Sequence, residues 1–270
     1  MRGTAQERLR RVEGRHNAHV KELRWAFDRG ELTETGACAI DGTRIVEEAI
    51  RSSLRFESIF FSESAQNIAE KLLPQIGAQV ETLLLPDKLF SSAVPSESPQ
   101  GVAALVRPKT SALKDIMEAS AVGPILVLAG IQDPGNLGTI LRSAEAFGAA
   151  GVLLAEKTVS PFNAKVIRGS AGSLFRLPVV RIKLLETISQ LTEAGVRIVA
   201  TSSHKGTVLH QAKLIPPIAV FIGSEGAGLP RDVIAKMDEV LAIPHAEQVE
   251  SLNAGVAASI VLYETARQKL

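Results

Sequence analysis

An α/β fold built on a parallel sheet follows from three features of the sequence. In the second half, short uninterrupted apolar runs at residues 124–131 and 218–222 alternate with stretches of helical periodicity, as expected of strands covered on both faces. Polar or Gly-rich segments stand directly after those runs, where ligands gather in open parallel sheets. With 270 residues, 46% of them hydrophobic and 22% charged, the chain has material for two domains with real cores. That balance also excludes an intrinsically disordered chain.

The elements of the second half follow in order. Residues 124–131 read as a strand. Asp133-Pro134-Gly135-Asn136 then opens a helix with its apolar stripe at Leu137, Ile140, Leu141, Ala144 and Phe147, stopped by Gly148. Asn136 is the expected N-cap. Residues 151–155 form the next strand, completing a βαβ unit. A helix over 184–194 stops at Gly195, and strands follow at 196–201, 218–222 and 240–243. A terminal helix runs from Ser251 to about Lys269, with Val256, Ile260 and Val261 at helical intervals.

The first half reads as a smaller α/β/α layer structure. Asp41-Gly42 is a turn signal, after which Ile45, Val46, Ala49 and Ile50 fall at helical spacing. Strands are expected at 56–61, 79–85 and 101–106, with a helix over 64–73. The run Arg107-Pro108-Lys109-Thr110-Ser111 and a short amphipathic stretch to about Ser120 have the look of a connector. The expected division is a first domain at 1–110, a linker at 111–122 and a second domain at 123–270.

Charge and cysteine usage narrow the function. The 30 basic and 29 acidic side chains leave a net charge of +1, so a nucleic-acid partner must be argued from local patches. Two such patches exist. Residues 1–29 carry eight basic and four acidic groups, which suits either a solvated helix face or an arm lying on phosphates. Between Glu156 and Glu186 no acid interrupts Lys157, Lys165, Arg168, Arg176, Arg181 and Lys183, and Gly169-Ser170-Ala171-Gly172 allows close backbone approach. The single cysteine, Cys38, excludes an intrachain disulfide and a Cys-rich metal site, and reads as a small buried hydrophobe in a reducing cytosol. The five histidines lack zinc-site spacing, so no metal is expected. No apolar run is long enough for a membrane span and the N-terminus is not a secretory signal, which together point to the cytoplasm.

Three polar segments at strand ends, residues 132–142, 223–230 and 244–253, are expected to converge. Arg142 sits just past the apolar stripe of its helix, able either to reach toward an anion or to pair with Glu145 or Glu193. Gly223-Ser224-Glu225-Gly226-Ala227-Gly228 exposes backbone amides to a close ligand, and Glu225 within it suits a cationic or hydroxyl-bearing group better than a phosphate. Ser251 and Asn253 stand at a helix start, where capping alone would explain them. Neither a G-x-G-x-x-G nor a P-loop nor a G-x-S-x-G elbow occurs, against dinucleotide, ATPase and serine-hydrolase readings.

Together these segments resemble the motifs of the SpoU/TrmH-type RNA ribose 2′-O-methyltransferases of the SPOUT superfamily. The first runs Asp133-Pro134-Gly135-Asn136-Leu137-Gly138 to Arg142-Ser143-Ala144-Glu145-Ala146-Phe147-Gly148. The second is Phe221-Ile222-Gly223-Ser224-Glu225-Gly226-Ala227-Gly228-Leu229, and the third is Ile243-Pro244 followed by Val249-Glu250-Ser251-Leu252-Asn253. Arg168-Gly169-Ser170-Ala171-Gly172 is also similar to the family. The first half, through Asp41-Gly42 and Ser98-Pro99-Gln100-Gly101-Val102, resembles the L30e-like RNA-binding domain often joined to it. The resemblance implies a trefoil knot in the second domain, S-adenosyl-L-methionine (SAM) as cofactor, and a homodimer whose active sites combine both subunits. It implies catalytic roles for Asn136, Arg142, Glu225, Ser251 and Asn253. Cofactor contacts are implied for Gly223, Ile243, Ser251 and Leu252, with Thr201 and Ser202 lining the pocket. RNA contacts are expected at Lys165, Arg168 and Arg176. His245, Glu247 and Ala254 depart from the family's usual residues.

The implied reaction is methyl transfer to a ribose 2′-hydroxyl of structured RNA, with 23S rRNA favoured by the extra N-terminal domain and tRNA as the alternative. In-line transfer from a sulfonium rests on positioning. A guanidinium ordinarily titrates above about 12 and is a poor base, so Arg142 is better suited to hold phosphate and stabilise developing alkoxide. Two other classes compete: a non-catalytic RNA-binding protein on the same fold, and a nicotinamide dehydrogenase, whose fingerprint is missing here.

Overall fold

The computed structural model describes residues 8–96, 99–203 and 205–269. They form two compact units, and the chain passes between them more than once. One unit runs up to Lys109 and also takes Ser160–Phe175; the other holds Thr110–Val159 and Arg176–Leu270.

The first unit carries a five-stranded mixed sheet. Its strands are β1 (Arg10–Arg11), β2 (Cys38–Asp41), β3 (Arg55–Ser62), β4 (Glu81–Leu85) and β5 (Val102–Arg107), in the order β1-β4-β3-β5-β2. β1, β4 and β3 are parallel, and β5 runs antiparallel to both β3 and β2. Helices α1 (Ala18–Arg29), α2 (Thr43–Arg51), α3 (Gln66–Leu72) and α4 (Asp87–Ala93) belong to this unit, as does α7 (Ala164–Ser170) from the inserted segment. Val20, Leu23, Phe60, Leu83 and Phe90 form a core that Ala164 joins. The expected helix over 64–73 and the strands at 56–61, 79–85 and 101–106 are present within a few residues. β2 ends on Asp41, where the sequence signals only a turn, and its four buried residues are too few to show alternation. Cys38 is buried within it.

The second unit holds seven strands: β6 (Ile125–Leu128), β7 (Gly151–Leu154), β8 (Val179–Arg181), β9 (Arg197–Ser202), β10 (Thr207–Val208), β11 (Ile218–Ile222) and β12 (Glu239–Ala242). Their order is β10-β12-β9-β11-β6-β7-β8, and every neighbouring pair is parallel. β6, β7 and β11 are buried along their whole length, which is why their sequences are apolar without alternation. The chain proceeds from β6 outward through β7 and β8, then crosses to β9, and β11 later fills the place between β9 and β6. The strand order therefore reverses between β6 and β11, the place where open parallel sheets leave a crevice at their carboxyl ends.

Helices α5 (Leu113–Ala119), α6 (Pro134–Ala146), α8 (Leu184–Glu193), α9 (Arg231–Ile234) and α10 (Ala254–Arg267) complete this unit. Ile116, Val127, Leu153, Ile198 and Phe221 lie in its core. The connector thus includes a helix whose Ile116 is fully buried with the second unit. The expected cap of α6 requires correction. Asp133, not Asn136, is the N-cap: its Oδ1 accepts the Asn136 amide at 2.8 Å, and Pro134 occupies the first helical position. Proline lacks an amide and suits that position, so the cap precedes it. Among the described residues no helix is long and apolar enough to cross a membrane.

Candidate active site

Capping by Asp133 leaves the Asn136 side chain, one turn into α6, available for other contacts. Its Nδ2 donates to Glu225 Oε1 at 2.7 Å, and its Oδ1 accepts from Asn253 Nδ2 at 2.8 Å. Asn253 Nδ2 also lies 2.9 Å from Glu225 Oε1, and the Ala254 amide donates to the same oxygen at 3.0 Å. Three segments widely separated in sequence therefore meet at one carboxylate oxygen. Asn253 serves twice, because its Oδ1 caps α10 through the Gly255 and Val256 amides at 2.9 and 3.2 Å. Capping and site-building are not alternatives for this residue. The Ala254 amide has no side-chain signature, and only the helix start at Asn253 hints at a free donor there.

Glu225 is carried on a tight loop. The Gly228 amide donates to the Ser224 carbonyl at 2.9 Å, and Gly228 has a left-handed φ of 64°. A Cβ on Gly223 would lie 2.2 Å from the Gly228 carbonyl carbon and 2.4 Å from the Leu229 nitrogen, so the loop closes only over glycine. Behind it lies a cavity of about 290 Å³ at the ends of β9, β11 and β12. All the expected cofactor residues line it: Thr201, Ser202, Gly223, Ile243, Ser251 and Leu252. The Thr201 hydroxyl bonds the Phe221 carbonyl at 3.3 Å, which holds two strand ends together on that wall. His245 also lines it, with Nδ1 donating to the Ile243 carbonyl at 2.7 Å.

The cavity fits the SAM that the sequence resemblance implies. Ile222, Ile243 and Leu252 provide apolar walls for an adenine, while Thr201, Ser202 and Ser251 offer hydroxyls for its polar parts. Among the described residues only neutral groups donate to Glu225, so its carboxylate can face the positive charge of a sulfonium. A second cavity, of about 670 Å³, shares the loop wall from Ser224 to Gly228 and also Ala254; Asn136 and Asp133 also line it.

Arg142 does not join this cluster. It is exposed on α6, lines neither cavity, and makes no ion pair with Glu145 or Glu193 among the described residues. Glu145 is instead engaged by Arg176, with Nε and Nη2 at 2.5 and 3.0 Å from its two oxygens. Arg168 likewise holds Asp41 through Nη1 at 3.0 and 3.3 Å, and Asp41 is buried. The acid-free stretch thus borrows its counter-charges from distant segments. Arg168 and Lys165 lie in the first unit and Arg176 in the second; Lys165 is exposed.

Comparison with known proteins agrees with this site. Residues 123–263 match the model of the SpoU rRNA methylase family, and residues 17–104 match an MRM3-like substrate binding domain. The chain is 30% identical to the 23S rRNA (guanosine(2553)-2′-O)-methyltransferase RlmP of Bacillus subtilis, over 94% of this chain and 98% of that protein. The AdoMet-bound rRNA methyltransferase from Sinorhizobium meliloti superimposes with a TM-score of 0.82 at 26% identity, covering 97% of this chain and 99% of that one. The SpoU methyltransferase AviRb from Streptomyces viridochromogenes in complex with AdoMet gives 0.82 at 27% identity, covering 94% and 98%. With its motifs converging on one cavity and these matches spanning both units, the chain belongs to the SpoU rRNA methylase family and is a SAM-dependent RNA methyltransferase.

Proposed function

We propose that the protein transfers the methyl group of SAM to a ribose 2′-hydroxyl of 23S rRNA, in the cytoplasm and as a homodimer. The observation that carries this reading is the Asn136–Glu225–Asn253 cluster on the wall shared by two cavities, where a cofactor and a nucleotide can meet. The match to the 23S rRNA 2′-O-methyltransferase over nearly the whole of both chains supports the choice of RNA.

When bound, the cofactor supplies an electrophilic methyl on a positively charged sulfur. The residues of this chain hold the reacting groups in line. Thr201, Ser202 and the Gly223 loop fix the cofactor cavity, and Glu225 places negative charge beside it. Asn136 and Asn253 lock the Glu225 carboxylate from two helices, so it needs no reorganisation during reaction. The 2′-oxygen attacks the methyl carbon, the carbon–sulfur bond breaks, and the hydroxyl proton passes to solvent.

Arg142 enters this site from the second copy. Its solvent-facing position on α6, with no side-chain partner among the described residues, allows this. Next to it, α10 presents Val256 and Tyr263, 47% and 56% exposed, on one side of the helix. Tyr263 packs edge-on against Phe147 at the end of α6, with ring centroids 5.8 Å apart. That apolar face is the surface proposed for dimer contact. In the active site the guanidinium holds RNA phosphate and stabilises the oxygen as it loses its proton.

The test is methyl transfer from radiolabelled SAM to total RNA, both rRNA and tRNA, taken from cells lacking the gene. Ribose-methylated positions resist alkaline cleavage, so the label is expected in alkali-resistant dinucleotides of 23S rRNA. Label confined to alkali-sensitive mononucleotides, or to tRNA, would overturn the corresponding part of the reading.

A further inference from the structure

The larger cavity contains none of the residues Thr201, Ser202, Gly223, Ile243, Ser251 and Leu252 that line the smaller one, and it is well placed for a substrate. It lies at the carboxyl ends of β6 and β7, beside the point where strand order reverses. Its volume of about 670 Å³ is within the range of small-ligand sites, roughly 300–1,000 Å³. It meets the cofactor cavity across the loop bearing Glu225, so an occupant's ribose can face that carboxylate while its base extends away from it.

Part of this cavity's lining has a distinct chemistry. Ala129, Ile131, Ala155 and Leu184 contribute apolar side chains, and Glu156 and Lys157, adjacent in sequence just after β7 and both exposed, line it as well. Glu156 is anchored: its Oε2 accepts the first amide of α8, that of Leu184, at 3.3 Å. One bond leaves most of a carboxylate's acceptor capacity unused. Lys157 adopts a left-handed φ of 62°, a conformation uncommon for residues other than glycine. A carboxylate and an ammonium on one cavity lining, together with apolar side chains, offer acceptors, a cationic donor and apolar contact to a planar heterocycle, and Lys183 stands near enough to Glu156 to feel its charge.

We propose that this cavity takes the target base, turned out of the RNA stack, and that Glu156 with Lys157 selects guanine. Guanine's Watson–Crick edge presents two adjacent donors, N1–H and N2–H, followed by the O6 acceptor. Those donors match the two oxygens of one carboxylate, and O6 matches the ammonium. Uracil offers one donor between two acceptors, and a carboxylate would repel both. Adenine and cytosine each set a ring acceptor beside their amino group, which the second carboxylate oxygen would oppose. Bases taken out of the stack are commonly read on this edge between apolar surfaces.

The inference rests on the methyl-transfer reading and is tested so that the two fail differently. Labelled SAM is supplied to the wild-type protein with rRNA from cells lacking the gene, and the product is digested to nucleosides. The label is expected in 2′-O-methylguanosine. Glu156→Gln is expected to lower kcat/KM by roughly 10- to 100-fold, as losing a two-point base contact does, with the SAM dissociation constant unchanged. On a transcript carrying inosine at the labelled position, which lacks the N2 amino group, wild type is expected to slow while Glu156→Gln slows little further. Label in another 2′-O-methylnucleoside, or a Glu156→Gln protein with wild-type kcat/KM, would overturn the base assignment alone. No label from the wild-type protein would overturn the methyl-transfer reading together with it.

Discussion

Asp41 in the first unit and Glu225 in the second are carboxylates held by several hydrogen bonds, but their partners differ in kind. Asp41 is buried and answered by the Arg168 guanidinium, so its charge is cancelled within the fold. Glu225 is exposed and, among the described residues, takes only neutral donors: two asparagine amides and one backbone amide. A compensated charge serves the fold, since breaking the pair leaves a buried charge alone. An uncompensated charge fixed in place by neutral groups costs stability and remains available to a cation. The same contrast separates Arg142 from Arg168 and Arg176. The last two are spent on internal pairs, while Arg142 has no ion pair among the described residues.

The largest effect is expected at Arg142. Arg142→Ala should abolish turnover and leave SAM affinity within a few-fold, as measured by methyl transfer and calorimetry. Mixed with Glu225→Gln, it should regain about a quarter of wild-type activity, because half of randomly paired dimers would carry one intact composite site. Failure to regain any would place Arg142 in the same subunit's site and break the comparison.

Asp41→Asn should act in the opposite sense. Losing the charge that answers Arg168 should lower stability by about 1–3 kcal/mol in denaturant unfolding, with turnover per folded molecule retained. The smallest effect concerns Glu264, which extends the contrast to α10. Its carboxyl accepts from Arg267 at 2.8 and 2.7 Å and from Gln268 at 2.8 Å, and the Arg267 bond leads in holding its pKa down to about 2. Gln268 in turn bonds Ala212 and Leu214. Because the folded pKa lies below the ordinary 4.5, this stability is complete above about pH 4.5 and fades as pH falls toward 2. Arg267 is half exposed, so the contribution is about 1 kcal/mol. Melting curves between pH 5 and 2 should flatten in Glu264→Gln.

What could be read from the sequence divides along similar lines. β6 and β11 were legible because strands covered on both faces are apolar throughout. The loops at 223–230 and 249–253 were legible because tight turns and caps demand particular residues, and the cofactor contacts that the family resemblance implies line one cavity. β8 and β10, with three and two partly exposed residues, carry no periodicity to detect. The position of Asn136 reads as a helix cap, whereas Asp133 does the capping, because the following Pro134 marks the first helical residue. The spent arginines were illegible: Arg168 finds Asp41 across 127 positions, and Arg176 finds Glu145 across 31. A stretch without acids looks like a phosphate site only while tertiary partners are out of view.

The contrast is tested most directly by Glu225→Gln, measured for melting temperature and methyl transfer on the same preparation. The substitution keeps the size of the side chain and removes its charge. Turnover is expected to fall on the order of 10²-fold with the melting temperature unchanged or slightly raised. A clear drop in melting temperature with turnover retained per folded molecule would make Glu225 a structural carboxylate like Asp41, and would contradict its role in the reaction.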